Sequence, residues 1–170
     1  MGDAYTPNIL TKKRNYMIVS EEATSIKGIG LLVNALGAIP VPYDFSNIKL
    51  FMDAIETRIK EKKSITIYPE AHLWPYYTHI RPFRDTSFTY PVSLKAPVYC
   101  FVNTYKKRRN PNKCKIITRI RGPFYADESL PSKEAISKLR NEVYEAMCEL
   151  SEYSDVELIK YTKKEDKKND

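Results

Sequence analysis

The sequence is poor in glycine, in cysteine and in long apolar runs. Its 170 residues include 5 glycines and 3 cysteines. Cys100, Cys114 and Cys148 are an odd number without metal-ligand spacing, which is typical of unpaired thiols in a reducing compartment. The longest apolar stretch, 28–41, has about 14 residues where a bilayer span needs about 20. The first ten residues lack a basic start followed by an apolar core, so we expect no signal peptide. The shortness of the apolar stretch predicts no transmembrane helix, and the spacing of the cysteines and histidines predicts no metal site.

Positive charge and apolar residues are plentiful instead. The chain carries 28 Lys+Arg against 21 Asp+Glu, a net charge of +7, and 42% of its residues are apolar. That apolar content is enough to bury a core, so we expect one domain over 1–160 and a disordered charged tail over 161–170. The charge suits an anionic partner, whether a membrane surface, a phosphorylated substrate or nucleic acid. Two basic runs, 106–109 and 163–168, leave open that the charge is merely solvated.

Strand and helix signals alternate along the chain. Short β-branched runs predict strands, and apolar stripes at helical spacing predict helices. We expect strands at 16–19, 38–42, 64–68, 97–105 and 115–121, and helices at 27–37, 47–63, 86–95 and 131–152. This alternation indicates an α/β fold, a layered domain with a mostly parallel central sheet flanked by helices.

The stretch from 69 to 85 is the first candidate for a site, because it leaves the carboxyl end of a predicted strand. It is longer than most connections, and long loops are usually functional. Glu70 could accept a hydrogen bond from a substrate hydroxyl, and Arg81 and Arg84 could hold a phosphate. The plainer interpretation is that Glu70 forms a salt bridge and the loop aromatics pack. The other candidates in the loop are His72, Trp74, Tyr76, Tyr77 and His79.

Four segments, taken in order, resemble the lysophospholipid and glycerol-phosphate acyltransferase superfamily. GLLVNALGAIPV at 30–41 is similar to the family's leucine-rich helix followed by Gly-Ala-Ile-Pro-Val. YPEAHL at 68–73 looks like its Phe-Pro-Glu-Gly-Thr-Arg motif, and RPFRDTSF at 81–88 is similar to its Pro-Phe-Lys-x-Gly-Ala-Phe stretch. APVYCFV at 96–102 matches the late x-Pro-Val segment that opens an apolar strand. The resemblance covers roughly residues 16–105.

The resemblance implies an acyltransferase. Such enzymes move an acyl group from a thioester of coenzyme A or acyl carrier protein to a hydroxyl of a lysophospholipid or glycerol-phosphate acceptor, and they need no other cofactor. It implies that Glu70 fixes the acceptor, while Arg81 and Arg84 are candidates for its phosphate and His72 and Trp74 for further substrate contacts. It also implies a cytoplasmic protein, peripheral to the inner face of a membrane, with acyl carrier protein as one candidate partner.

The chain departs from the family pattern at the catalytic base. The family uses the histidine of a His-x4-Asp motif, and neither histidine here has an aspartate five positions on. Asp3 stands where that aspartate would fall, with its histidine three positions before Met1. We therefore expect an N-terminally truncated catalytic domain, with Asp3 as the remnant of the catalytic pair. Losing a general base typically costs about 10²–10⁴ in rate. Leu73 stands at the family's arginine, which favours a divergent acceptor.

Two other functions stay open. A non-catalytic module for lipid or an anionic membrane surface, or a degenerate acyltransferase paralogue, would use the apolar stretch, the loop aromatics and the positive charge. A nucleic-acid-binding protein would use the basic run 106–109 and the sequence pI near 9.2. That run lacks interleaved aromatics or a recognised motif, so we expect no nucleic-acid partner.

Overall fold

The computed structural model describes residues 9, 11, 14–20, 37–70 and 74–162, apart from the side chain of residue 45. The chain divides into two compact units, Met1–Pro69 and Glu70–Asp170. The division falls inside the predicted domain 1–160, whose extent stays a prediction.

The described elements belong to an α/β fold, which confirms the predicted fold class. In chain order they are β1 (Asn15–Ser20), β2 (Ala38–Val41), α1 (Ile48–Lys60), β3 (Ser64–Thr66), α2 (Thr89–Ser93), β4 (Val98–Lys107), β5 (Cys114–Phe124) and α3 (Ser132–Ser151), with 3₁₀ turns at Phe45–Asn47 and Thr86–Phe88. Of the described helices, none is both long enough and apolar enough to cross a bilayer.

In the first unit, the described strands form a parallel sheet in the order β2-β1-β3. Met17 of β1 lies opposite Ala38 on one side and opposite Thr66 on the other. Parallel strands of one sheet need a crossover connection. α1 lies in the connection from β2 to β3, which flank β1 on its two sides. α1 buries Phe51 and Ile55, which are four residues apart and therefore share a face.

A buried polar pair joins β1 to β3. Asn15 is 1% exposed, and its Oδ1 accepts a 2.9 Å hydrogen bond from Thr66 Oγ1. Within the described part of the chain, Asn15 Nδ2 is buried without a hydrogen-bond partner. Gly37 has φ +95°, and a Cβ there would lie 3.0 Å from the Asn15 carbonyl oxygen. The turn into β2 therefore needs glycine for both its backbone angle and its close approach.

The bounds of the elements in the first unit differ from the predicted ones by one to three residues. β3 ends at Thr66, two residues before the end of the predicted strand 64–68. α1 ends at Lys60 rather than at 63, because Lys62 takes a left-handed φ of +56°. Ile48, the first residue of α1, is 46% exposed. The predicted helix 27–37 lies outside the described residues except for Gly37.

In the second unit, β4 and β5 form an antiparallel hairpin, which the prediction of one mostly parallel sheet did not include. Pairing runs from Val98 opposite Phe124 to Lys107 opposite Cys114. The connection 108–113 is too short for a crossover between parallel neighbours, so the two strands pair antiparallel. The parallel arrangement holds for the described strands of the first unit.

α3 covers one face of this hairpin and completes the core of the second unit. Cys100 and Val102 of β4 face the helix, because alternate residues of a strand share a face. The rings of Phe83 and Phe88 stack with centroids 6.0 Å apart, so the end of the long loop is anchored in this core. The buried core residues are Phe83, Phe88, Cys100, Val102, Leu139, Val143, Ala146, Met147 and Leu150.

Candidate functional site

Glu70 and Arg81 form an ion pair within the long loop. Arg81 Nε donates to Glu70 Oε2 at 3.0 Å, and the Arg81 backbone N–H donates to the same oxygen at 3.4 Å. Arg81 Nη2 donates to the Glu70 carbonyl oxygen at 3.3 Å. The Arg81 side chain is 17% exposed and that of Glu70 is 24% exposed, so water screens the pair only in part. From the described residues, Glu70 Oε1 receives no hydrogen bond, so this oxygen is the one left for a ligand hydroxyl.

Trp74 covers the guanidinium of Arg81 from the same loop. The guanidinium carbon lies 4.8 Å from the indole centroid, a cation–π distance. The indole stacks on Tyr161 with centroids 5.0 Å apart and meets Tyr77 edge-on at 5.1 Å. Tyr161 also donates its hydroxyl to the Pro75 carbonyl oxygen at 2.9 Å. These rings form an aromatic wall beside the ion pair.

Tyr161 reaches the loop on a segment that we call the C-terminal strap, residues 152–162. The Asp155 backbone N–H donates to the Tyr105 carbonyl oxygen at 3.0 Å. The Asp155 carboxylate accepts a 2.7 Å bond from the Lys107 backbone N–H and lies 3.2 Å from Lys106 Nζ. These bonds lower the pKa of Asp155, with the backbone bond from Lys107 contributing most. The strap is thus fixed to the edge of β4 before it reaches the loop.

Tyr161 is the first residue of the predicted tail, 161–170, and it belongs to the described part of the chain. Tyr161 was assigned to a disordered tail, because the residues that follow it are almost all charged. Its ring instead packs between Trp74 and Tyr77, with the Tyr77 centroid 5.4 Å away. Residues 163–170 lie outside the described part of the chain.

One stripe of α3 contacts the end of the long loop through Tyr144 and Phe83. Arg140, Tyr144 and Cys148 follow each other at four-residue spacing, which places them on one helix face. The pKa of the Tyr144 phenol is raised, first by a hydrogen bond with Cys148, then by burial, and further by the charges of Cys148 and Glu70. The Tyr144 ring meets Phe83 edge-on at 5.3 Å. Arg140 Nε is buried and has no hydrogen-bond partner among the described residues.

Arg84 is exposed, and within the described ranges it forms no ion pair. Its neighbour Asp85 accepts a 3.3 Å hydrogen bond from Ser137 of α3, which holds this part of the loop against the helix. Two predicted site residues, Asp3 and His72, lie outside the described residues, so their positions stay predictions.

Of the predicted site residues, Glu70, Trp74 and Arg81 therefore lie together. Arg81 is engaged by Glu70, and its predicted role toward a phosphate stays a prediction. Tyr144 and Tyr161 were not among the predicted site residues. The four-residue spacing on α3 was a signal for Tyr144, whereas nothing local to Tyr161 distinguished it from the tail.

In the described part of the chain, no group of three or more His, Cys, Asp or Glu side chains is arranged to hold a metal ion. Comparisons of the chain with protein-family models, with curated proteins and with solved structures gave no match.

Proposed function

We propose that the chain is the acceptor-binding part of an acyltransferase that uses an acyl thioester and a lysophospholipid or glycerol-phosphate-like hydroxyl. The observation that carries the proposal is the half-buried Glu70–Arg81 pair in the segment that resembles the family's Pro-Glu motif. Its geometry holds one carboxylate oxygen in place with an arginine and offers the other to a hydroxyl. A carboxylate oriented in this way binds a hydroxyl donor strongly, since charge-assisted hydrogen bonds are about twice as strong as neutral ones.

In the proposed reaction, the acceptor oxygen attacks the thioester carbonyl, a C–O bond forms, and the C–S bond breaks. The hydroxyl proton passes to a base, and the sulfur leaves as a thiolate that takes up a proton to become the free thiol. Glu70 accepts a hydrogen bond from the acceptor and orients it, and Arg81 acts through Glu70 as a positioning residue. Arg84, which is exposed and without an ion partner in the described ranges, is the better placed of the two arginines to hold the acceptor's phosphate. Coenzyme A or acyl carrier protein supplies the thioester.

The chemistry also needs a general base. Neither His72 nor His79 has an aspartate five positions on. The proposal therefore assigns binding and orientation of substrates to the residues present here, and turnover by these residues alone is expected to be about 10²–10⁴ slower than with a base.

The test is calorimetric titration of the chain with glycerol 3-phosphate and with a short-chain lysophosphatidate below its aggregation concentration. We expect Glu70→Gln to weaken binding about tenfold, because a hydrogen bond to a charged group contributes about 1.5–3 kcal/mol. Glu128→Gln removes the same charge from an exposed carboxylate of the same unit and should leave binding unchanged. Arg84→Ala should weaken binding of glycerol 3-phosphate and not of glycerol. Equal affinities of the Glu70→Gln and wild-type chains would contradict the proposal.

A second candidate is a binding protein or degenerate paralogue that uses the same residues without turnover. It is favoured by the sequence around the two histidines, because neither His72 nor His79 is followed by the aspartate of a His-x4-Asp motif. Acceptor binding that depends on Glu70, with no ester formed from an acyl thioester, would select this candidate.

A further inference from the structure

The turn of the β4–β5 hairpin carries a dense group of cations. Residues 106–115, KKRRNPNKCK, hold six basic side chains and no acidic one. Lys106 is paired with Asp155 at 3.2 Å. The other five basic residues are exposed, and none of them forms an ion pair with a described residue. These five, which we call the basic tip, are Lys107, Arg108, Arg109, Lys113 and Lys115.

The hydrogen bonds that form the turn do not involve the cationic groups of the basic tip. Lys113 N–H donates to the Asn110 carbonyl oxygen at 3.1 Å, and Asn112 N–H donates to Asn110 Oδ1 at 2.9 Å. The turn is therefore fixed by Asn110 and by the long strand pairing behind it. The cationic side chains are available to a partner, and they can be replaced without removing a bond that shapes the turn.

Exposed aliphatic side chains follow the basic tip on β5. Ile116 is 51% exposed and Ile120 is 50% exposed. They lie opposite Tyr105 and Phe101, on the face of the hairpin that alternation turns away from α3. Cations with half-exposed isoleucines directly behind them form an amphipathic surface.

We propose that the basic tip, together with Ile116 and Ile120, docks on an anionic lipid bilayer. Each Lys or Arg near such a surface gains from the negative potential of its headgroups. The isoleucines add apolar area at the boundary between headgroups and acyl chains. Proteins that bind single-stranded nucleic acid stack its bases on exposed aromatic rings. On β5 the half-exposed apolar side chains behind the basic tip are aliphatic instead, which favours lipid. The inference stands apart from the proposed acyl transfer, because it does not involve Glu70 or Arg81.

Co-sedimentation with vesicles tests the inference, using phosphatidylcholine alone and phosphatidylcholine with added phosphatidylglycerol. We expect binding to the anionic vesicles and little binding to the zwitterionic ones. Arg108→Ala/Arg109→Ala should lower the partition coefficient about 25-fold, at about fivefold for each cation removed. The control Lys49→Ala/Lys133→Ala removes two exposed helical cations and so makes the same change in net charge. It should bind almost as the wild type does.

Ile116→Thr keeps a β-branched residue in the strand while removing apolar contact, and it should cause a smaller loss that persists at high salt. The loss in the arginine variant should shrink as salt rises. Circular dichroism identical to the wild type will show that each variant is folded. An equal loss in the lysine control would overturn the inference, as would tighter binding to single-stranded RNA than to anionic vesicles through the same arginines.

Discussion

The Glu70–Arg81 pair permits a quantitative test of how the loop is held together. Arg81→Met keeps an unbranched side chain of similar reach but removes the guanidinium. The substitution deletes the 3.0 Å bond to Glu70 Oε2, the 3.3 Å bond to the Glu70 carbonyl oxygen and the contact with Trp74. The Arg81 backbone bond to the carboxylate remains.

The expected loss in the free energy of unfolding follows from the exposure of the Glu70 and Arg81 side chains. A hydrogen bond to a charged group contributes about 1.5–3 kcal/mol, and an exposed cation–π contact about 0.5–1 kcal/mol. Removing one partner of a fully buried pair costs about 3–5 kcal/mol, but this pair is partly open to water. We expect Arg81→Met to lower the free energy of unfolding by about 2 kcal/mol. In a double-mutant cycle with Glu70→Gln, we expect a coupling energy of about 1–2 kcal/mol.

Urea unfolding provides the assay, followed both by far-ultraviolet circular dichroism and by the fluorescence of Trp74, the single tryptophan of the chain. A loss of 2 kcal/mol shifts the midpoint by about 1 M when the slope is about 2 kcal/mol/M. The exposed pair Lys95–Glu128 is the control, and its cycle should give less than about 1 kcal/mol. A Glu70–Arg81 coupling no larger than that of the control would mean that the ion pair does not hold the loop together.

Three further results are expected. Tyr161→Ala should shift Trp74 emission to longer wavelength and cost about 1–2 kcal/mol in urea unfolding, whereas Tyr161→Phe, which keeps the stacked ring, should cost about 1 kcal/mol or less. Thr66→Val should cost about 1–3 kcal/mol in thermal unfolding, because it removes the donor to buried Asn15; a loss below about 0.5 kcal/mol would be inconsistent with that bond. Asp127 should titrate by carbon NMR with a pKa of about 2 rather than 3.8, chiefly because Lys138 donates a hydrogen bond to its carboxylate. The contribution of Asp127 to stability should therefore be full above pH 3.8 and lost as pH falls through about 2. Removing that lysine should return the pKa toward 3.8.

The elements that could be predicted were those whose signal lies within a few residues. The apolar stripe of α3 gave its bounds to within one residue at each end, since Leu139, Val143 and Leu150 recur at helical spacing. The strand at β2 followed from its proline-flanked extended run. Helix ends were harder, because the end of α1 depends on the left-handed backbone of Lys62, which no side-chain preference announces.

The arrangement that could not be predicted depends on contacts between distant residues. The length of the turn at 108–113 decides whether β4 joins a parallel sheet or a hairpin. The pattern of apolar and polar residues within β4 and β5 does not distinguish the two kinds of pairing. The salt bridge of Glu70 was the plainer interpretation of that residue, and the structure contains it. Tyr161 lies beside a charged tail in sequence, so its packing on Trp74 was not visible from composition.

The central claim is that Glu70 orients a hydroxyl acceptor for acyl transfer. Its most direct test is to incubate the chain in excess over an acyl-coenzyme A with glycerol 3-phosphate, and to follow ester product by mass spectrometry over hours. We expect an ester product that forms slowly and only with the acceptor present. Its rate should exceed the protein-free rate and fall at least tenfold in Glu70→Gln. Product no faster than without protein, or equally fast in Glu70→Gln, would contradict it.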